Sequence, residues 1–438
     1  MQKKTRLWAC AAVVAIAAGA LGISTSANAA TTAGCATPWV AGSTHVGGDT
    51  VSLSGKNYTA NWWTQSDPSK TNGVSGSGQP WAPGIACSGA VTPTPTPTKT
   101  SAPTPTPTPT ATTAPTTTPG TTGSAAPVIF SPYKYSGEGQ DWDKFKLQSA
   151  ASGTLLPLVG PGSLVSQITG LTTLTLAFAT GECGAESWNG VSAANFASAN
   201  IPDFDAAGVN YIVSTGGAGG VFTCSTKAGM DAFIDRYSSK HLVGVDFDIE
   251  AGQGAADIQS LVALAAYEQP RHPGLRFSFT LASLGSSDGS FGSVNSSGDE
   301  AMKAIAATPS LTHYTVNLMT MDYGDTAPGV CVVTAGHCDM GRTAVQAVTN
   351  LEHTYGTPAG RIEITQMIGV NDSTSETTTL ADIDTTVAYV KSAGLAGFHF
   401  WSLDRDRPSS ASFVASDGSS LPNVPALSFT RRALADLG

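Results

Sequence analysis

Val243-Gly244-Val245-Asp246-Phe247-Asp248-Ile249-Glu250 alternates acidic and apolar side chains. Successive side chains of a β-strand point to opposite faces, so Asp246, Asp248 and Glu250 share one face and Val245, Phe247 and Ile249 the other. The apolar face suits a covering layer of helices, which leaves three carboxyls pointing into the centre of the fold. Carboxylates about 6–7 Å apart along a strand disfavour full ionisation, so one of them keeps its proton near neutrality. A protonated carboxyl at the C-terminal end of a strand is what a general acid requires, and Glu250 holds that position. The competing readings are a solvated acidic strand and a magnesium or calcium cluster. Three carboxyls on one face of a buried strand argue against the first. The histidines are scattered and no Cys-x-x-Cys spacing occurs, so no metal site and no cofactor are expected.

Outward from this strand, apolar runs of strand length recur every 30–48 residues: Val128–Tyr133, Leu171–Thr180, Asn210–Ser214, Leu242–Glu250, Leu275–Ser283, Tyr314–Tyr323, Ile362–Val370 and Ala396–Leu403. Helical patterns lie between several of them. Met230, Phe233, Ile234 and Tyr237 fall at i, i+3, i+4, i+7, and Leu380, Ile383 and Val387 at i, i+3, i+7. Continuous apolar strands alternating with amphipathic helices predict a parallel sheet covered on both faces. Eight such units in about 310 residues is the count of an α/β fold of the (β/α)8 TIM-barrel type, with an open doubly wound sheet as the alternative. In a barrel the chemistry belongs at the C-terminal strand ends, where Glu250 stands.

Composition bounds the partners. Charged residues are 12% of the 438, about half the usual share. Residues 1–29 read as a signal peptide, with Lys3, Lys4 and Arg6 ahead of apolar Leu7–Leu21 and a small-residue site at Ala27-Asn28-Ala29. The apolar run of about 15 residues is short of a membrane span. Removing the leader moves the net charge from −10 to about −13, which argues against nucleic acid or an anionic membrane as partner, since either needs a basic patch. A secreted monomer acting on a neutral polysaccharide fits. Residues 91–126 are nearly all Pro, Thr, Ala, Ser and Gly, an extended spacer that buries no core. It separates a small segment, 35–89, from a large one, 127–438. Six cysteines remain after the leader, an even number that in a secreted chain predicts three disulfides. Locality suggests Cys35 with Cys87, Cys331 with Cys338 and Cys183 with Cys224, although fifteen pairings are open.

The small segment holds Trp39, Trp62, Trp63 and Trp81 together with Tyr58. Some 55 residues cannot bury four indoles fully, and an exposed indole offers a flat apolar face to a pyranose ring. Gly48-Asp49-Thr50-Val51-Ser52 and Gly55-Lys56-Asn57-Tyr58-Thr59-Ala60 read as a hairpin leading into Asn61-Trp62-Trp63-Thr64. The segment resembles the type 5/12 carbohydrate-binding module, a small all-β domain that binds chitin. The resemblance implies a sugar platform drawn from Trp39, Trp62, Trp63 and Tyr58.

Asp246-x-Asp248-x-Glu250, ending a fourth strand, resembles the signature of the family 18 glycoside hydrolases, the chitinases. Ser214-Thr215-Gly216-Gly217 is similar to that family's Ser-x-Gly-Gly motif on the third strand, and Trp401 to the tryptophan under the cleaved sugar on the eighth. The likeness covers 127–438 and implies retaining, substrate-assisted hydrolysis of chitin and chito-oligosaccharides. Glu250 would protonate the glycosidic oxygen and later activate water, Asp248 would orient the 2-acetamido group whose oxygen attacks the anomeric carbon, and Asp246 would share a proton with Asp248. Ser214, Gly216, Asp322, Met321, Gln366 and Trp401 are the implied substrate contacts. Two departures from the family pattern stand out. Val243 replaces the usual leading Asp of the signature, at the far end of the strand. Met319-Thr320-Met321-Asp322-Tyr323 puts Met321 where the motif carries tyrosine, making Tyr323 the candidate for the missing hydroxyl.

Gly216-Gly217-Ala218-Gly219-Gly220 lacks the Gly-Lys-Ser/Thr of a phosphate loop, and Gly285-Ser286-Ser287-Asp288-Gly289 lacks the helix that completes a serine-hydrolase elbow. About 25 residues separate Val370 from Ala396, enough for one helix but not for an inserted domain. An open groove and internal cleavage are therefore expected. The rival functions are a catalytically inactive chitin-binding lectin, which retention of all three carboxyls opposes, and an endo-β-N-acetylglucosaminidase acting on N-glycans, which the small aromatic module opposes.

Overall fold

The structure, a computed structural model, describes residues 34–40, 50–60, 67–73, 81–88, 128–250, 252–324, 326–411 and 414–438. The leader, the spacer, Trp62 and Trp63 lie outside the described residues.

Eight parallel strands form a barrel, as the recurrence of apolar runs predicts. The first strand is in two pieces, Ile129–Phe130 and Tyr133–Tyr135. The former pairs with the eighth strand, Gly397–Trp401, and the latter with the second, Thr173–Ala179. This split strand joins the two edges of the sheet and so removes both. Between them, in sequence order and each parallel to its neighbours, run Asn210–Gly216, Leu242–Ile249, Arg276–Ala282, Tyr314–Met319 and Ile362–Met367.

Helices follow seven of the eight strands: α1 Ala193–Ala207, α2 Lys227–Tyr237, α3 Ala255–Glu268, α4 Ser296–Ala306, α5 Met340–Tyr355, α6 Leu380–Ala393 and α7 Ser428–Leu437. In α2 the periodic residues Met230, Phe233, Ile234 and Tyr237 are all buried. In α6 the Thr379 side chain accepts from Asp382 N while the Asp382 carboxylate accepts from Thr379 N, and Gly394 ends the helix at φ 69°. The first unit departs from the repeat. Among its described residues only a two-residue hairpin and one turn of 3-10 helix, Val165–Gln167, connect the first strand to the second. Gly153, Pro157, Gly160, Pro161, Gly162 and Gly170 interrupt that stretch and leave no room for a helical period.

Val245, Phe247 and Ile249 face outward into the helix layer, each at most 1% exposed. The barrel interior is polar instead. At its N-terminal end Glu363 is held between Arg276 and His399, and the His399 ring also meets Ser131 O at 3.1 Å. Burial opposes the Glu363 charge, but Arg276 and His399 outweigh it and keep its pKa below the usual value.

A second buried ion pair spans the closure. Lys134, on the split first strand, meets Asp404, just past the eighth, at 3.0 Å, and neither is more than 3% exposed. Asp404 also accepts from Tyr135 N at 3.1 Å and Ser149 Oγ at 2.8 Å, while Lys134 Nζ donates to the carbonyls of Tyr135 and Glu138. Each charge is thereby hydrogen-bonded on several sides, the condition under which a buried pair is tolerated.

The three disulfides are Cys35–Cys87, Cys183–Cys224 and Cys331–Cys338. The second ties the loops after strands two and three, and the third closes a loop after strand six. In the small segment, strands Thr50–Leu53, Lys56–Thr59 and Ile85–Ala86 form an antiparallel sheet. Its two-residue turn, Ser54-Gly55, has positive φ at both positions, the geometry that matches hairpin twist. Trp81 is fully buried there with Val51, Tyr58 and Ala60, and Trp39 packs half-buried against them. Tyr58 is 5% exposed, so its ring belongs to this core and is not part of an exposed platform. Strand alternation carries it inward with Val51, its cross-strand partner.

Lys134→Met is expected to lower stability by about 3–5 kcal/mol, because it leaves Asp404 buried and unpaired. The shift in urea midpoint checks this, and Lys134→Met combined with Asp404→Leu should recover most of the loss.

Candidate active site

The fourth strand delivers its carboxyls as alternation requires. Asp246 and Asp248 are 1% and 3% exposed, and Glu250 lies partly open at the C-terminal mouth. A cavity of about 500 Å³ occupies that mouth, with Asp248, Glu250, Asp322 and Trp401 in its lining.

Asp246 is wrapped by hydroxyls. Oδ1 accepts from Ser278 Oγ and Thr280 Oγ1, both at 2.7 Å, and Oδ2 from Ser214 Oγ at 2.6 Å and Tyr133 OH at 3.0 Å. Asn317 fixes the direction of two of these bonds. Its Nδ2 donates to Tyr133 OH at 3.1 Å and to Thr280 Oγ1 at 2.9 Å, so those hydroxyl protons are turned toward Asp246. Thr365 Oγ1 in turn donates to Asn317 Oδ1 at 2.9 Å, which sets the amide the right way round. Burial raises the Asp246 pKa, and the four hydroxyls oppose that rise.

Asp248 has no such shell. Its Oδ1 is buried without a hydrogen-bond partner. Burial, then the charges of Glu250 and Asp246, push its pKa well above the usual carboxylate range. Burial raises Glu250 to about 7, against the pull of a hydrogen bond with Asp248 and of the Ala218 N–H. All of Asp246's acceptor positions are thus occupied by donors, whereas Asp248 and Glu250 share a hydrogen bond and burial raises both.

The third-strand motif supports this geometry from beside it. Ser214 reaches Asp246, and Gly216, with φ 85°, lines the cavity where a Cβ would collide with the Asp248 carbonyl oxygen. At Gly217, φ 78°, a Cβ would lie 2.8 Å from the Phe178 ring. Trp401 forms the floor. It stacks on Phe178 with centroids 5.4 Å apart and 19° between planes, and Tyr135 and Tyr133 tilt against it at 5.7 and 6.2 Å.

Three sequence assignments are corrected. Ser214 is fully buried and outside the cavity lining, so its hydroxyl serves Asp246 and not a substrate. Tyr323 is 1% exposed, packs with Val330, Cys331, Cys338 and Met340 and is absent from the cavity lining. The sixth strand ends at Met319, and Asp322 turns through φ 55°, so alternation no longer holds and Met321 and Asp322 line the cavity instead. Gln366 is fully buried on the outer face, its Nε2 donating to Met340 O at 3.4 Å. Its neighbours Thr365 and Met367 take the inner face and the cavity.

Tyr133, Tyr135, Phe178, Asn189 and Asp372 line the cavity without having been singled out by sequence. Alternation along the first strand carries a signal for Tyr133. For Phe178 it misleads, since Leu174 and Leu176, of the same parity, belong to the outer core. The pairing between strands two and three slips between Val213 and Thr215, and Phe178 comes to the inner face past that slip.

Among the described residues no group of three or more His, Cys, Asp and Glu side chains is arranged to hold a metal ion.

Glu250→Gln is expected to melt higher than the wild type at pH 8 and level with it near pH 4. A carboxyl whose folded pKa is raised costs stability as pH climbs from its unfolded value of about 4.5 through about 7. Thermal unfolding at the two pH values checks the sign.

No family model matches the chain, and no curated protein matches it. Solved structures do. The chain is similar to the catalytic domain of a hyperthermophilic chitinase from Pyrococcus furiosus, at 23% identity over 72% of this chain and 97% of that one, with a TM-score of 0.54. It is similar to catalytic-site mutants of active domain 2 of chitinase from the same organism, at 24% identity over 72% and 97%, with a TM-score of 0.54. Mutants of that domain complexed with chito-oligosaccharides match at 24% identity over 72% and 96%, with a TM-score of 0.51. These likenesses show that the chain has their barrel fold.

Proposed function

We propose that the chain is a secreted chitinase that cleaves β-1,4-linked N-acetylglucosamine internally, with retention of configuration, by a substrate-assisted route. The observation that carries this reading is the buried Asp248 Oδ1 without a hydrogen-bond partner, in a cavity that Glu250 and Trp401 also line. An acetamide N–H is the donor that oxygen lacks, and a pyranose stacked on Trp401 brings a 2-acetamido group to it. The solved chitinases that share the barrel fold, one set of them complexed with chito-oligosaccharides, favour the same substrate class.

With the sugar so placed, Glu250 gives its proton to the glycosidic oxygen as the bond to the anomeric carbon breaks. The acetamide oxygen forms the new bond to that carbon. Asp248, holding the acetamide N–H, stabilises the positive oxazolinium ring, and the hydroxyl-bound Asp246 adds negative potential beneath it. Glu250, now a carboxylate, takes a proton from water as the water oxygen bonds to the anomeric carbon and the bond from that carbon to the acetamide oxygen breaks, which restores the acetamide, the enzyme and the anomeric configuration. Asp322 and Met321 shape one wall. Tyr133, aimed at Asp246 by Asn317, is a hydroxyl close to the acetamide site now that Tyr323 is excluded.

Internal cutting rests on the open cleft. Between strands seven and eight the described chain carries a two-residue hairpin, Gly369–Val370 with Thr377–Thr378, and then α6, with no inserted domain to roof the mouth. Secretion rests on the leader and the disulfides, and attachment to insoluble polymer on Trp39, Trp62 and Trp63 of the small segment.

A time course on chitohexaose, read for product mass and anomer, tests this reading. Internal products of retained anomer are expected from the wild type, with kcat lowered by about 10²–10⁴ in Glu250→Gln. No cleavage of chitohexaose by the wild type overturns the assignment. The kcat of the wild type should fall as pH rises through about 7, because the acid form of Glu250 is the one that donates. A flat profile from pH 6 to 9 contradicts that role.

A further inference from the structure

The sixth strand carries one amide into the polar interior of the barrel, Asn317. It is 1% exposed and absent from the cavity lining, whereas its three hydrogen-bond partners, Tyr133, Thr280 and Thr365, all line the cavity. Sheet register puts it there. Asn317 stands opposite Thr280 of the fifth strand, and Thr280 opposite Asp248 of the fourth. The hydrolytic route above uses this amide only to aim Tyr133.

The four hydroxyls around Asp246 are of two kinds. Ser214 and Ser278 each meet Asp246 and hydrogen-bond no other side chain among the described residues, so their protons can turn either way. Tyr133 and Thr280 are not free in this sense. Each also faces the Asn317 Nδ2, at 3.1 and 2.9 Å, and an amide NH2 group only donates. Their contact with each other, 3.3 Å, is longer than their bonds to Asp246, 3.0 and 2.7 Å, so both protons stay on the Asp246 side. The amide itself is fixed by Thr365 Oγ1, which donates to Oδ1 at 2.9 Å. Turned over, it would set Oδ1 against both hydroxyls and draw their protons away from Asp246.

We propose that Asn317 is a positioning residue of the reaction, which holds Tyr133 and Thr280 as donors to Asp246 and so favours the carboxylate form of Asp246 beneath the positive intermediate. Hydrogen bonds to the charged form of a carboxyl stabilise that form. Burial raises Asp246, and the hydroxyl bonds limit the rise. The other groups that bear on its charge are Asp248 on the same strand, with Glu250 beyond it, and the cluster at the barrel base. There Glu363 lies between Arg276 and His399, whose ring meets Tyr133 edge-on at 6.4 Å. Strand two, Thr173–Ala179, carries no titratable side chain, strand three presents Ser214, and Asp322 and Asp372 line the cavity. Neither Arg276 nor His399 donates to Asp246, which leaves the oriented hydroxyls to stabilise its charge.

The catalytic part of this role rests on the hydrolase reading, whereas the control of Asp246 can be measured without a substrate. On chitohexaose, Asn317→Leu should lower kcat about ten- to hundredfold, the loss expected when hydrogen bonds to a charged group are weakened. KM should change little, because Asn317 is absent from the cavity lining. The acid limb of the kcat profile should move up by about one pH unit, since Asp246 then takes a proton more readily. Thr365→Val, which no longer fixes the amide, should move the limb the same way, and Thr365→Ser, which keeps the hydroxyl, should leave it in place. That pair decides the matter if Asn317→Leu does not fold. Independently of turnover, the carbon-13-labelled carboxyl of Asp246, assigned by its loss in Asp246→Asn, should titrate at higher pH in Asn317→Leu than in the wild type. An unmoved titration, or an acid limb unmoved in both Asn317→Leu and Thr365→Val, overturns the positioning role even if kcat falls. Absence of chitohexaose cleavage by the wild type overturns the hydrolase reading alone, and the titration then decides whether Asn317 controls Asp246.

Discussion

Three carboxyls on one strand inside a closed barrel cannot all be ionised out of reach of water, and much of the architecture follows from how that is resolved. One of the three, Asp246, is surrounded by hydroxyls from strands one, three and five, so its oxygens are saturated with donors. Asp248 and Glu250, without that shell, are left with raised pKa values at the end of the strand where a substrate can reach them. Asn317 and Thr365, from strands six and seven, orient the hydroxyls. Six of the eight strands thus contribute to the state of a carboxyl on one of them.

Such a network works only if the barrel is closed, because Tyr133 comes from the strand where the sheet meets itself. That strand pairs with both of its neighbours in two short pieces. Lys134 and Asp404 add a side-chain connection across the same seam, and Asp404 also takes the amide of Tyr135, which leans on Trp401. Closure of the fold and placement of the sugar platform are therefore one set of contacts. The polar interior, with Arg276, Glu363 and His399 at its base, contrasts with the apolar outer layer, where most of the hydrophobic burial sits.

The loops that shape the cleft obey a different logic. The segment after strand seven has little apolar content of its own, and it and the turn after strand six are held by hydrogen bonds from buried polar side chains, Arg405, Glu376 and Asn371. Carbonyls and amides fixed in this way leave Asp322 and Asp372 facing the cavity. A cleft wall can be rigid without being hydrophobic when its backbone groups are satisfied from behind.

By itself the sequence determined the barrel, the strand that carries the carboxyls and which face they occupy. A period of two along a strand and 3.6 along a helix is local, and burial on both faces forces it to be written in the residues. Gly216 and Trp401 were legible for the same reason, lying on or at the ends of regular strands. Where regularity stops, legibility stopped with it. The left-handed turn at Asp322 sent Tyr323 into a separate core, the slipped register after Val213 brought Phe178 inward, and Gln366 fell on the outer face of a strand whose end alone reaches the cleft. The absent first helix, the ion pair between residues 134 and 404 and the four donors on Asp246 join positions far apart in the chain. Only the tertiary structure decided these, because hydrogen bonds and charges between distant residues leave no period along a sequence.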